Sequence, residues 1–360
     1  MAEQVIVGAG LSGLVAAINL AREGYHVLVR ERRGSVGGPI DIKGLEGKVI
    51  NIGDGTPINV DRIRSYTGID IAPAATELRE CRIHAYGRTS DMDFIEGVGT
   101  YLVERGPRPT SLDVYLYELA RSEGVEFVFN DTLTSEEDFD RLPPDSIIAT
   151  GLFGETYSAL DIPHLPVYGY LAMDELEDTA ARVVIYFDEY TRDYAFYSQV
   201  NGARGAVLFS RGKPIDRSVK ERFQRQLSEN DGIEFDKWDP VNIGGLPVKE
   251  FRNPRLFTKN FILAGTVSGT MDPLLLFGVH GALVSGKIAA MAVSDHRKGL
   301  EEFRRINMFY KLSMLSSYVY RYAPISLLKR LMWFNLWAYP ATGRLLGERM
   351  FLLIPGLGRI

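Results

Sequence analysis

Short apolar runs and longer segments of helical period alternate at the start of the chain. Gln4 to Val7 is an apolar run of strand length, Gly8 to Gly13 a glycine turn, and His26 to Glu31 a second apolar run. Between them, Leu11 to Glu23 has helical spacing, with Leu14, Ala17, Ile18 and Ala21 on one face. Strand, helix and strand in that order predict a parallel sheet. Gly34 to Gly55 is glycine-rich and aperiodic. Leu112 to Glu123 reads as a helix, Val125 to Phe129 as a strand, and Ser146 to Thr150 as a buried strand ending at Gly151. Further on the texture changes. Arg182 to Phe187, Tyr194 to Val200 and Ala206 to Ser210 are aromatic and β-branched, and Asn201 with Gly202 supplies hairpin chemistry. These runs predict an antiparallel sheet. Ile215 to Glu229 returns to a helix, Phe261 to Ala264 is one more buried strand, and a helix runs from about Gly278 to Ser294.

The expected fold class is α/β: a doubly wound parallel-sheet domain with an inserted antiparallel-sheet substrate domain and a helical C-terminal cap. The nucleotide domain is expected at 1–60, 100–160 and 255–296, the substrate domain at 61–99 and 161–254, and the cap at 297–360. No internal repeat or low-complexity linker divides them.

Charge changes this picture at one end. The net charge of −5 gives no global sign of a nucleic-acid partner. Arg297 to Ile360, however, holds eleven Lys/Arg and three Asp/Glu, a local +8 against −13 on the rest. The same stretch carries Phe309, Tyr310, Tyr318, Tyr320, Trp333, Phe334 and Trp337 among leucines. Basic, aromatic and Leu-rich turns suit an interfacial helix, so peripheral membrane contact through 307–360 is an expectation. A cap packed on the catalytic body is the alternative. The single cysteine, Cys81, excludes an intrachain disulfide. With no basic-apolar leader and no apolar stretch of about 18 residues, the expected compartment is cytoplasmic.

The first chemical signal is Gly8, Gly10 and Gly13 between a strand and a helix, with Glu31 ending the second strand. Gly8 permits a tight turn, Gly10 lets backbone approach a pyrophosphate, and Gly13 lets the helix pack on the strand. Leu11 and Ser12 open the helix whose free N–H groups face the phosphates, and Glu31 accepts from ribose hydroxyls. The acid at position 31 argues against a 2′-phosphate despite Arg30, Arg32 and Arg33 around it. Gly38 continues this run toward the adenosine.

The second signal is Gly265, Thr266, Gly269, Asp272, Pro273, Gly278, Gly281, Ser285 and Gly286 after an apolar strand. This run resembles the second FAD motif of glutathione-reductase-type flavoproteins, within the group of geranylgeranyl reductases and aromatic-ring hydroxylases. Tyr101 to Arg105 before a helix, and Ile147 to Gly151, resemble two further segments of that group. Asp193 to Tyr197 sits where geranylgeranyl reductases carry an aromatic strand over the flavin. The resemblance spans roughly residues 4 to 294. It implies noncovalent FAD contacted by Gly8, Gly10, Leu11, Ser12, Gly13, Glu31, Arg32, Gly38, Arg105, Thr150, Gly151, Gly265, Thr266, Asp272, Gly278 and Val279. Tyr194, Phe196 and Tyr197 are expected to line the substrate cavity, and His280 to supply a proton or bond a flavin carbonyl. The family's Gly-Asp is Gly265-Thr266 here, and its Leu-Thr-Gly-Glu-Gly after the proline is Leu274-Leu-Leu-Phe-Gly278, a more apolar cavity.

Other signals fall away. Gly281 to Lys287 imitates a P-loop, but Ile288 stands where the Mg²⁺ ligand belongs. His26, His84, His164, His280 and His296 have no metal-ligand spacing, so no metal is expected. The expected activity is FAD-dependent reduction or dehydrogenation of carbon–carbon bonds in an apolar, isoprenoid or lipid-like substrate, with the electron donor open. A flavin monooxygenase, and a non-redox flavin- or lipid-binding cyclase, isomerase or binding protein, stand as alternatives.

Overall fold

The computed structural model of the protein describes residues 3–38, 47–92, 100–189, 192–247, 254–346 and 360. The chain opens with β1 (Glu3–Val7), α1 (Leu11–Arg22) and β2 (His26–Glu31). Every residue from Leu11 to Leu20 is buried, so α1 is a core helix with no solvent stripe. β3 (Ile52–Ile58), α2 (Val60–Thr67), β4 (Ala75–Ala85), β5 (Arg88–Asp91) and β6 (Tyr101–Arg105) follow. The Asn59 side chain accepts from the Arg62 N–H to start α2, and Gly68, at φ 71°, stops it. Next come α3 (Leu112–Ser122), β7 (Glu126–Phe129), α4 (Glu136–Asp140), β8 (Ile147–Ile148) and α5 (Gly154–Ala159). The middle of the chain forms β9 (His164–Glu175), β10 (Ala181–Phe187), β11 (Tyr194–Val200), β12 (Ala203–Arg211), α6 (Arg217–Asp231) and β13 (Asp239–Pro247). It closes with β14 (Phe257–Thr258), β15 (Phe261–Leu263), α7 (Val279–Ser294), α8 (His296–Tyr322) and α9 (Ile325–Leu346).

Two sheets result. The first has the order β14-β15-β8-β1-β2-β7 and is parallel except for β14. Its face packs on α1, which in turn lies between α3 and α7. The second runs β13-β9-β12-β11-β10-β4-β6-β3 and is antiparallel except for the β10–β4 pair. The β11–β12 hairpin turns on Asn201 and Gly202, both at positive φ (52° and 78°), a two-residue turn that matches strand twist.

The pairing crosses the expected domain limits. β3 and β6, expected with the nucleotide domain, close one end of the second sheet. α2, which from its second residue on was expected with the substrate domain, places Ile63 in the first core beside α7. The cap spans both layers. α8 buries Phe303, Ile306 and Tyr310 in the first core and Tyr320 against the second sheet, where Leu328 of α9 joins it. Among the described residues no helix is long and apolar enough to cross a membrane.

Candidate functional site

Five segments converge beyond the C-terminal end of β1, the place where open α/β sheets bind ligands. The glycine turn comes first. A Cβ on Gly8 (φ 105°) would lie 2.6 Å from the Ala149 carbonyl oxygen, and one on Gly13 would lie 2.0 Å from the Gly8 carbonyl oxygen. Those two glycines are demanded by the protein's own packing. Gly10 is different: a Cβ there would meet nothing within 4 Å among the described residues. Gly10 is also the N-cap of α1, without a side-chain cap and with no acid in the first turn. An open surface over uncapped N–H groups at a helix N-terminus is a cradle for a pyrophosphate.

Glu31 closes the turn. One carboxylate oxygen accepts from the Ala9 N–H at 2.7 Å and the other from the Arg33 N–H at 3.0 Å. A carboxylate has about four acceptor positions, so two remain for ribose hydroxyls. The Arg32 guanidinium lies 3.3 Å from the centre of the Phe153 ring. Gly37 packs on Gly106, and the Gly38 N–H donates to the Ser35 carbonyl at 3.1 Å. Arg105 makes a bidentate pair with Asp113 at 2.7 and 2.9 Å. Burial works against the Arg105 charge, but Asp113 outweighs it and holds the guanidinium above its ordinary pKa. Thr150 follows the Ala149 that packs on Gly8, and its Oγ1 is buried with no hydrogen-bond partner among the described residues. The Tyr157 hydroxyl donates to the Gly151 carbonyl at 2.8 Å.

The second motif meets the first directly. A Cβ on Gly265 (φ 74°) would lie 2.5 Å from Ser12 Oγ, and one on Gly286 would lie 2.4 Å from the Ser12 carbonyl oxygen. The Gly265 N–H donates to Ser285 Oγ at 2.7 Å, and its carbonyl accepts from the Ser268 and Thr270 hydroxyls. Thr266 is half-buried beside them. Gly278 caps α7 with no side-chain cap and no acid in the first turn, so its partial positive charge is unneutralised.

Several expected roles change. Asp272, expected at the cofactor, is sealed at 0% exposure. Its Oδ1 accepts from the Leu274 and Leu275 N–H groups at 3.0 and 2.8 Å, so it builds the loop that delivers Gly278 and Val279. Burial raises its pKa. His280 is also buried, with Nδ1 3.5 Å from the Tyr310 hydroxyl. Burial, aided by Arg62, pushes its pKa down to about 4. The ring is therefore neutral at pH 7, which argues against the expected protonating role. Tyr197 faces away from the loop: its ring lies under α6 with Tyr186, Phe223 and Leu227, and its hydroxyl donates to Gln199. Phe196, on the opposite face of β11, packs with Leu171, Val207, Leu275 and Phe277. The backbone of Tyr194 pairs with Phe209, and its side chain lies outside what is described.

One buried pair escaped the sequence reading. Arg211 Nε pairs with Asp193, its main-chain N–H donates to the same carboxylate at 2.8 Å, and its Nη1 donates to the Pro273 carbonyl at 2.7 Å. The β11–β12 hairpin is thereby fastened to the loop ahead of α7. Among the described residues no cluster of three potential metal ligands occurs.

Residues 6–56 match the family described as NAD(P)-binding Rossmann-like domain. No curated protein matches the chain by sequence. Solved structures do match by shape. A geranylgeranyl bacteriochlorophyll reductase-like protein from Thermoplasma acidophilum covers 91% of this chain and 90% of its own, with TM-score 0.66 and 16% identity. The p-nitrophenol 4-monooxygenase of Pseudomonas putida matches over 100% of both chains, with TM-score 0.63 and 14% identity. The chain has the fold of FAD-dependent oxidoreductases. A flavoprotein/dehydrogenase from Cytophaga hutchinsonii shares it over 93% of this chain and 94% of its own, with TM-score 0.58 and 14% identity. In this fold the glycine turn, Glu31, Thr150 and the Gly265 segment form one continuous cradle, and its open Gly10 floor and orphaned Thr150 hydroxyl suit a dinucleotide.

Proposed function

We propose that the protein is an FAD-dependent oxidoreductase that reduces or dehydrogenates carbon–carbon bonds of an apolar, isoprenoid or lipid-like substrate. The observation that carries this reading is the apolar seam between the two layers. Leu275 and Phe277, in the loop before α7, pack on Phe196, Ile185, Val207 and Leu171 of the second sheet. A substrate site opening at this seam would have hydrocarbon walls and would keep water out.

The residues divide the work. The α1 N-terminus at Gly10 to Ser12 would hold the pyrophosphate, Glu31 the adenosine ribose, and the Thr150 hydroxyl would have hydrogen-bonding capacity left for the dinucleotide. The uncapped α7 N-terminus at Gly278 and Val279 stabilises negative charge placed before it. Asp272 shapes the loop, and the Asp193–Arg211 pair fixes that loop to the second sheet. Bound flavin supplies a two-electron carrier that exchanges hydride at N5. His280, neutral and buried, does not carry the proton that completes a reduction.

The test is anaerobic. Protein reduced chemically in the absence of oxygen should be reoxidised by a prenyl-type alkene and return the saturated product. A second reading has support of its own, because the p-nitrophenol 4-monooxygenase matches over the full length of both chains. Product formation only in the presence of oxygen, with one hydroxyl added per turnover, would establish that reading and overturn the first.

A further inference from the structure

Two consecutive helices present apolar faces that the described protein leaves uncovered. On α8, Met308, Leu312, Leu315, Val319 and Tyr322 recur at steps of three and four and are 45–67% exposed. On α9, Leu327, Leu331, Phe334 and Trp337 repeat the pattern at 42–71% exposure. The opposite faces are already engaged: Phe303, Ile306 and Tyr310 are buried in the first core, and the Trp333 indole donates to the Ala85 carbonyl at 3.2 Å. Each helix is therefore packed on one side and apolar again on the other. Single exposed apolar residues are ordinary, but a stripe in helical register on each of two adjoining helices marks an interaction surface.

Charge selects the occupant. From Phe303 to Gly347 the sequence holds seven Lys/Arg and no Asp or Glu. Lys329, Arg305 and Arg321 have carboxylate partners in Glu189, Glu302 and Asp193, but Arg304, Lys311 and Arg330 leave the surface with an excess of cations, which a two-fold contact between copies would set against itself. Beside the α8 stripe, Arg255, Arg304, Asn307 and Lys311 line a cleft of about 290 Å³ floored by Leu300 and Phe303. Helical spacing puts Arg304 and Lys311 at the edge of the Met308–Leu315 stripe. Cations flanking an apolar stripe are what the boundary between head groups and acyl chains requires. We propose that α8 and α9 dock the protein on an anionic bilayer leaflet, lying in the interface without crossing it.

The experiment is co-sedimentation of the full chain, as purified, with vesicles of phosphatidylcholine alone or mixed with phosphatidylglycerol. Binding is expected on the mixed vesicles at low ionic strength, and the partition coefficient should fall about tenfold or more in molar salt. Leu312→Glu with Leu315→Glu, and separately Phe334→Glu with Trp337→Glu, should each lower partition about tenfold or more. These positions are exposed and outside the cradle, so the circular dichroism and visible spectra should stay unchanged. Wild-type protein that ignores the mixed vesicles at low salt overturns the proposal, as do folded variants that bind like wild type. A dimer in sedimentation that these variants dissolve, without vesicle binding, assigns the surface to a second copy instead.

Discussion

The substitution Gly10→Val separates folding from cofactor binding at one position. Gly10 has φ −81° and ψ 179°, an extended conformation that valine adopts without strain. Among the described residues no atom lies within 4 Å of its Cβ position, so no clash arises with them. The remaining cost is a poorer N-cap on α1, about 1 kcal/mol. With an unfolding entropy of about 2 cal/mol/K per residue, that lowers Tm by about 1–2 °C. The effect on binding is larger. The valine methyl groups stand where the pyrophosphate would approach the α1 N–H groups. Losing two charge-assisted hydrogen bonds at about 1.5–3 kcal/mol each weakens FAD by about 10²- to 10⁴-fold. Visible absorption per mole of purified protein reads the occupancy. A melt with and without added FAD reads the linkage, which is about 2.7 kcal/mol at a hundredfold excess over Kd. Wild type should be yellow and shift with FAD, whereas Gly10→Val should fold, melt almost normally, and do neither. Gly13→Val is the control: its Cβ would sit 2.0 Å from a backbone oxygen that cannot retreat, so the variant should lose folding itself. A Gly10→Val protein with full flavin content refutes the cradle.

Three further outcomes follow from other contacts. Glu31→Ala releases the Ala9 and Arg33 N–H groups as well as the ribose, so FAD affinity should drop by about 1–3 kcal/mol in titration; an unchanged Kd would remove Glu31 from the site. His280 has an ordinary pKa of 6.5 that burial lowers to about 4, so the unfolded chain binds its proton first as pH falls. Stability should therefore decline from pH 6.5 toward 4, by about 2 kcal/mol between pH 7 and pH 5 in urea titrations, and His280→Leu should remove that share. The Asp231 carboxylate is sealed from solvent and takes bonds from Arg82 at 2.9 Å, His84 at 2.8 Å and Tyr186. Burial opposes its charge, but these bonds outweigh burial and hold its pKa well below the carboxylate range, so its contribution is lost only in strong acid. Asp231→Ala strands those partners and should cost about 3 kcal/mol in chemical denaturation; a loss under about 1 kcal/mol would show that water replaces the carboxylate.

Where local signals were strong, the sequence was read closely. Leu11–Arg22, His26–Glu31 and Val279–Ser294 form as their period and glycines imply. The strands that went unread share a cause. Ala75–Ala85 carries charged residues at positions of both parities and His164–Glu175 carries apolar ones at both, so in each long strand the alternation is weak. Pairing within a large sheet, and not local pattern, makes them strands. Ile52–Ile58 was hidden by glycines that read as an irregular turn. Gly53 and Gly205 are there for close approach: a Cβ on Gly53 would lie 2.9 Å from Val200, and one on Gly205 would lie 2.4 Å from Ile52. That crossing of strands is long-range and leaves no periodic trace.

The Asp193–Arg211 pair shows how far a turn can carry the reading. Once Asn201 and Gly202 are taken as a two-residue turn, the register follows: Val200 pairs with Ala203 and Tyr194 with Phe209. Extended by one step, the register sets Asp193 opposite Ser210, which brings it close to Arg211 at the hairpin's open end but, by strict alternation, on the other face. The ion pair between residues 18 positions apart forms because β11 begins only at Tyr194 and Asp193 is outside the strand. What no register supplies is the third member, the Pro273 carbonyl, which arrives from the other layer. The same alternation assigns Phe196 and Tyr197 to opposite faces, but which face meets the loop depends on where α6 lands. Register thus fixes which side chains travel together, and only the packing of the layers decides which set meets the substrate.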